Sequence, residues 1–191
     1  MKWRPLLSLL LVGLMAWCWG SAAWIHLKAQ LAQQLIARAW DSTLAGDTRT
    51  KPWPWADTWP VARLQVEDQD LYVLAGAQGN SLAFGPGHLM DSALPGEGLT
   101  VIGGHRDTHF RFLRDLTPGQ RLHMQTAAGE LLSYRITHLE VVDVRNQPLL
   151  VEPDAQGLLL VTCYPFDSLD ANGPLRLLVW AEPDAGYGLI L

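Results

Sequence analysis

The stretch LLLVTCYPFD at residues 158–167 decides the fold, because it is an apolar run that stops abruptly at a proline. An apolar run of this length, closed by a turn signal, favours a buried β-strand. Pro165 ends it, since proline has no backbone N–H to continue a ladder. Side chains alternate along a strand, so Leu159, Val161 and Cys163 share one face, and the thiol lies at the rim of the sheet.

Seven further short runs of β type accompany this strand. They lie at residues 61–66, 71–74, 81–84, 100–102, 121–125, 131–142 and 175–181. The clearest turn signals between them are the Gly-Pro-Gly at residues 85–87 and the Thr-Pro-Gly at residues 117–119. Short strands at such intervals, with little helical periodicity after residue 42, predict an all-β domain that is either a closed barrel or a sandwich.

The composition is typical of one globular domain with an appended segment. The chain has 191 residues, of which 49% are hydrophobic and 17% charged, so it can form a core. Its formal net charge is −5, and Lys and Arg do not cluster beyond the N-terminus. Without a positive field there is nothing to attract a phosphate backbone, so we expect no nucleic-acid partner.

An uncharged stretch of 20 residues, 6–25, matches the length of one helical span of a bilayer. Lys2 and Arg4 precede it, and such charges hold an N-terminus in the cytoplasm. The sequence therefore predicts a single-pass protein of the inner (cytoplasmic) membrane, with the rest of the chain facing the periplasm or exterior. A cleaved signal peptide is the alternative, because the small residues at 20–23 suit a signal peptidase.

The predicted domain organisation has three parts: an anchor at 1–25, a helix and Pro/Trp linker at 26–60, and the β domain at 61–191. Leu27, Leu31 and Leu35 recur every four residues, which predicts a helix with one apolar stripe. Three prolines and three tryptophans then occupy residues 51–60, which favours a semi-rigid linker packed on the domain.

Cys163 is a lone thiol in the β domain, since the second cysteine, Cys18, lies in the apolar N-terminal stretch. An unpaired thiol in an exported domain needs an explanation, which is either a buried structural cysteine or a nucleophile. His105 follows two glycines after a predicted strand, where it serves either as a structural residue or as a proton carrier for the thiol. The order His before Cys does not fit papain-like proteases.

Arg176 lies within an apolar strand, and a charge in that setting needs a reason. It either points to solvent or supplies a fixed cation that stabilises an oxyanion and favours a thiolate. His105 and His109 are four residues apart, but no Glu stands next to His105 and no third ligand is suitably spaced. We therefore expect no metal and no other cofactor.

Four separated motifs together resemble the sortase family, in the order the family shows them. They are AFGPGHL at 83–89, ALPGEGLTVIGGHRDTHFRFL at 93–113, LLLVTCYPFD at 158–167 and PLRLLVWAE at 174–182. The family's nucleophile strand typically ends T-L-x-T-C, and here Leu159 replaces the first Thr. The sequence is most similar to compact sortases with one N-terminal anchor, of the kind found in Gram-negative bacteria.

The resemblance implies an eight-stranded sortase-type β-barrel with His105, Cys163 and Arg176 as catalytic residues. Thr162 matches a residue that lies close to bound substrate. The implied reaction is cleavage of an LPXTG-like C-terminal sorting signal on a protein substrate through a thioester, followed by transfer to an amine acceptor. A membrane-tethered cysteine hydrolase, with water in place of the amine, is the alternative, and a non-catalytic scaffold would not need Cys163.

Overall fold

The computed structural model describes residues 3–79, 81–146, 155–168, 170 and 173–184, over which one N-terminal helix precedes a closed β-barrel. The strands are β1 Pro60–Val66, β2 Gln69–Ala75, β3 Gly87–His88, β4 Leu99–Gly104, β5 Arg121–Thr126, β6 Leu131–Asp143, β7 Gly157–Cys163 and β8 Leu175–Pro183. They close in the order β1-β2-β3-β4-β7-β8-β6-β5. The predicted eight-stranded barrel is therefore confirmed.

Strand β7 lies between β4, which it pairs in parallel, and β8, which it pairs antiparallel. The alternation of side chains along β7 separates two apolar clusters. Leu158 and Leu160 belong to the main core inside the barrel. Leu159 on the opposite face packs with Leu178 in a smaller cluster on the outside. Side chains alternate along the strand, and Cys163 is four residues after Leu159, so its side chain belongs to the same outer face.

The strand predicted at 81–84 is wrong. That segment contains a 3-10 helix, Ser81–Ala83. The Ser81 hydroxyl lies 2.7 Å from the carbonyl oxygens of both Gly76 and Gln78, which share its one proton, and this contact holds the backbone in a turn. The third strand is instead the two-residue β3, which follows Pro86 directly and bridges β2 and β4.

The N-terminal helix, α1, runs without a break over Trp3–Leu44. It is long and apolar enough to cross a membrane. The predicted anchor and the helix predicted after it are thus one element, which continues through residue 25. Its last third packs on the barrel, where the side chains of Ala32, Ile36, Ala39 and Trp40 are buried.

Replacing Trp40 by alanine is expected to lower the free energy of unfolding by about 3–5 kcal/mol. The indole is 1% exposed and lies with its ring centroid 6.5 Å from that of Tyr72, so its removal leaves a cavity between α1 and the barrel. Urea unfolding of the full chain in detergent, followed by near-UV circular dichroism, measures the change. Trp55 is 82% exposed and provides the control, for which a loss below about 0.5 kcal/mol is expected.

Equal losses for the Trp40 and Trp55 variants would contradict the view that α1 is packed on the barrel through Trp40.

Candidate active site

Cys163 lies at the end of β7 and is directly opposite Arg176 in the antiparallel β7–β8 register. Residues that face each other in this way point to the same side of the sheet, with Cβ atoms roughly 4.5–5.5 Å apart. Because β7 and β8 pair in this register, the thiol and the guanidinium belong to one face of the sheet.

The guanidinium of Arg176 is held by backbone carbonyls at the start of its own strand. Its Nη1 donates to the carbonyl of Gly173 at 2.6 Å and to that of Leu175 at 2.8 Å. Both partners are uncharged, so they orient the cation without neutralising it. Arg176 is half-buried rather than extended into solvent, and these two bonds hold its charge on the strand that pairs with β7.

His105 follows β4 directly, and β4 is the neighbour of β7 on its other side. Gly104, the last residue of β4, is in parallel register with Thr162. The hydroxyl of Thr162 also donates to the carbonyl of Gly104 at 2.8 Å. His105 therefore leaves its strand beside the point where Cys163 ends β7, and its side chain is exposed.

The turn after His105 explains why Gly104 precedes it. Phe110 is fully buried, and its backbone N–H donates to the carbonyl of His105 at 3.0 Å. A Cβ atom at Gly104 would lie 2.7 Å from the Phe110 ring, well inside van der Waals contact. Glycine thus allows the ring to pack under the turn, and this packing fixes where His105 leaves the barrel.

Arg106 is a further residue of the site that the sequence did not reveal. Its Nη2 donates to the backbone carbonyls of Ser168, at 2.7 Å, and Asp170, at 2.6 Å. The guanidinium thereby ties the segment after Cys163 to the segment after His105. These partners are 62 and 64 residues away along the chain, so no local pattern in one sequence predicts the contact.

His109 lies close to His105 and is electrostatically coupled to it. Burial is the main cause that lowers the pKa of His109, and a positive charge on His105 lowers it further. Asp107 acts in the opposite direction. The neutral imidazole of His109 is therefore favoured over its charged form at this position.

A stability measurement across pH tests this arrangement at His109. Because the pKa of His109 in the folded chain lies below its unfolded value of about 6.5, unfolding takes up a proton at acid pH. The stability that His109 contributes is therefore complete above that unfolded value and is lost as the pH falls through the folded pKa. We expect His109→Gln to lose less stability than the wild type between neutral and acid pH.

Thermal unfolding followed by circular dichroism at several pH values gives the comparison. Parallel curves for the wild type and His109→Gln would show that His109 does not titrate differently in the two states.

Comparisons with known proteins agree with the barrel fold. A model described as the sortase domain matches residues 63–184. Sortase D of Bacillus subtilis (strain 168) is 34% identical over 115 residues, or 59% of this chain and 57% of that protein, so the match spans little more than half of the relative.

Two solved structures show the same fold. Sortase A from Corynebacterium diphtheriae superposes with a TM-score of 0.59 at 24% identity, covering 80% of this chain and 84% of that chain. A Clostridium perfringens sortase D5 transpeptidase has a TM-score of 0.57 at 22% identity, covering 78% and 88%. The family match at residues 63–184 takes in more than half of the 191 residues, together with both cross-strand partners and His105, and this chain therefore belongs to the sortase family.

Proposed function

We propose that this protein is a membrane-anchored cysteine transpeptidase, which cleaves an LPXTG-like C-terminal sorting signal and transfers the acyl fragment to an amine. The observation that carries the proposal is the cross-strand pair of Cys163 and Arg176, with His105 leaving the adjacent strand. A nucleophile, a fixed cation and a proton carrier on one surface are the groups that acyl transfer needs.

In the first half of the proposed reaction, the Cys163 thiolate attacks the scissile carbonyl and forms a tetrahedral oxyanion. Arg176 is suited to stabilise that negative charge, because its guanidinium is already oriented and needs no reorganisation. The C–N bond then breaks, and His105 gives a proton to the departing amine. The acyl fragment remains on Cys163 as a thioester.

In the second half, an amine acceptor attacks the thioester carbonyl and His105 takes up the proton that the amine loses. The C–S bond breaks, a new amide leaves, and the thiolate of Cys163 is restored. A thioester keeps much of the acyl-transfer potential of the broken bond, so no ATP is required. If water attacks instead of the amine, the same steps yield a free acid, which is the hydrolase alternative.

The proposed substrate contacts lie next to Cys163 on the outer face of β7. Val161 is two residues earlier on that face and is partly exposed, so it offers apolar contact for a bound peptide. Thr162 is proposed to lie beside the substrate as well. The side chain of Thr162 is buried and its hydroxyl donates to the carbonyl of Gly104. Thr162 would therefore contact the substrate through its backbone.

The proposed location is the inner (cytoplasmic) membrane. Helix α1 forms the single span, and Lys2 and Arg4 favour a cytoplasmic N-terminus, which leaves the barrel in the periplasm or outside the cell. The proposed partners are accordingly a protein with a C-terminal sorting signal and an amine-bearing acceptor, both of which must reach the outer side of this membrane.

Product identity tests the proposal. The full-length protein in detergent is mixed with an LPXTG-type peptide and hydroxylamine, and the products are identified by mass spectrometry. A hydroxamate on the Thr carboxyl supports the transpeptidase. Free acid as the sole product would favour the hydrolase, and an uncut peptide would contradict the proposed signal.

A further inference from the structure

Helix α1 fixes the distance between the proposed membrane span and the barrel. Its uncharged part ends at Ile25, and the first side chain buried against the barrel is Ala32. Seven residues of helix rise only about 10 Å, and the helix does not break between these points. A continuous helix fixes which end of the barrel comes close to the bilayer.

The end of the barrel next to the uncharged segment is the one that carries His105. A cavity of about 760 Å³ separates helix residues 25–34 from Ala83, Phe84 and His109. The Nε2 of Gln33 crosses to donate to the carbonyl of Phe84 at 2.7 Å. His109 therefore lies alongside the first turns of α1 after the span, and His105 is its close neighbour.

The opposite end of the barrel lies alongside the C-terminal end of α1. A Cβ atom added at Gly129, in the turn between β5 and β6, would be 3.9 Å from the Leu44 side chain. Leu44 is 19 residues beyond Ile25, which corresponds to about 28 Å along the helix axis. The β5–β6 turn is thus much farther from the uncharged segment than His109.

The charge of residues 105–111 differs in sign from that of the whole chain. This segment contains Arg106 and Arg111 against one acid, Asp107, whereas the chain carries −5. Lys28 lines the same cavity from the helix side. The acids Asp167 and Asp170 lie on the loop after Cys163, so the positive charge next to α1 is that of residues 105–111 and Lys28, which complements the anionic headgroups of a bilayer surface.

We infer that the catalytic end of the barrel, formed by residues 105–111 and helix residues 25–34, faces the bilayer and contacts its anionic headgroup surface. This rests on the proposed membrane anchor. The inference places the thiol where it meets a substrate that is still held at the membrane, and it places the β5–β6 turn on the distant side. A tilt of the helix of about 20°, which is usual for spans, does not reverse this order.

Distance from the lipid surface tests the orientation without any activity assay. Single cysteines are placed at the exposed Asp107 and Ala128, as Asp107→Cys and Ala128→Cys, in the full chain carrying Cys18→Ala and Cys163→Ala. Each is labelled with a fluorophore and reconstituted in vesicles of phosphatidylethanolamine, phosphatidylglycerol and a nickel-chelating lipid quencher. We expect at least about threefold stronger quenching at position 107, since the helix separates the two levels by some 20 Å or more.

A third variant interrupts the rigid helix between the span and the barrel and leaves both labels in place. A flexible Gly/Ser insertion of about 12 residues between Ile25 and His26, with a reach of roughly 20 Å, is expected to make quenching at the two positions similar. Flotation of the vesicles shows whether the chain is anchored at all. Equal quenching in a chain that floats with the vesicles would overturn the orientation alone, whereas a chain that does not float would overturn the anchor and this inference with it.

Discussion

Cys163→Ala is expected to lower kcat/KM for peptide cleavage by about 10⁴-fold or more. The methyl group of alanine has no lone pair to attack the scissile carbonyl, so neither the thioester nor any product derived from it can form. Because Cys163 lies at the rim and is only partly buried, its replacement leaves the core intact. Mass spectrometry of protein quenched during turnover should show an acylated species for the wild type and none for the variant.

Cys18 provides the matched control, because it is the other cysteine of the chain and lies exposed on the apolar part of α1. Cys18→Ala should retain full cleavage and the acylated species. If Cys163→Ala cleaved the peptide as fast as Cys18→Ala, the thiol chemistry proposed for this protein would be refuted.

Arg176→Ala is expected to lower kcat by about 10²–10³-fold with a much smaller change in KM. The charge that Arg176 is proposed to stabilise develops only in the transition state, so loss of the guanidinium should affect the chemical step more than the binding of the ground state. Arg176→Lys keeps the positive charge but loses the planar fork that donates to the carbonyls of Gly173 and Leu175. It should recover only part of the rate.

Steady-state kinetics with the same peptide separates kcat from KM for each variant, and thermal unfolding confirms that the variants fold. Arg114→Ala is the control, since Arg114 is an exposed arginine paired with its neighbour Asp115. A kcat for Arg176→Ala close to that of Arg114→Ala would rule out a role in the chemical step.

The architecture was largely predictable from the sequence because the strands of this barrel are apolar runs closed by turn residues. Strand β3 was missed, since two residues carry no periodicity from which a strand can be inferred. Residues 81–84 have the composition of a strand, but the Ser81 hydroxyl bonds to the carbonyls of Gly76 and Gln78 and holds a turn instead. The composition of the segment did not reveal that this side-chain bond competes with strand pairing.

The candidate site was predictable only in part. His105, Cys163 and Arg176 were predicted as candidates because each lies in a motif of its own, and the β7–β8 register places the last two opposite each other. The bond from Thr162 to Gly104 and those from Arg106 to the loop after Cys163 join distant segments. A single sequence without relatives contains no record of such contacts.

The parallel pairing of β4 with β7 also affects the order in which the chain folds. The bond that joins these strands next to Cys163 links residues 58 apart, and the segment between them includes β5 and β6. Closing so long a loop costs conformational entropy before the strand pairing compensates for it, so this contact is expected to form late. In a chain that is still folding, Cys163 is therefore separated from the strand that leads to His105, and any reactivity that needs both residues is expected only once the barrel has closed.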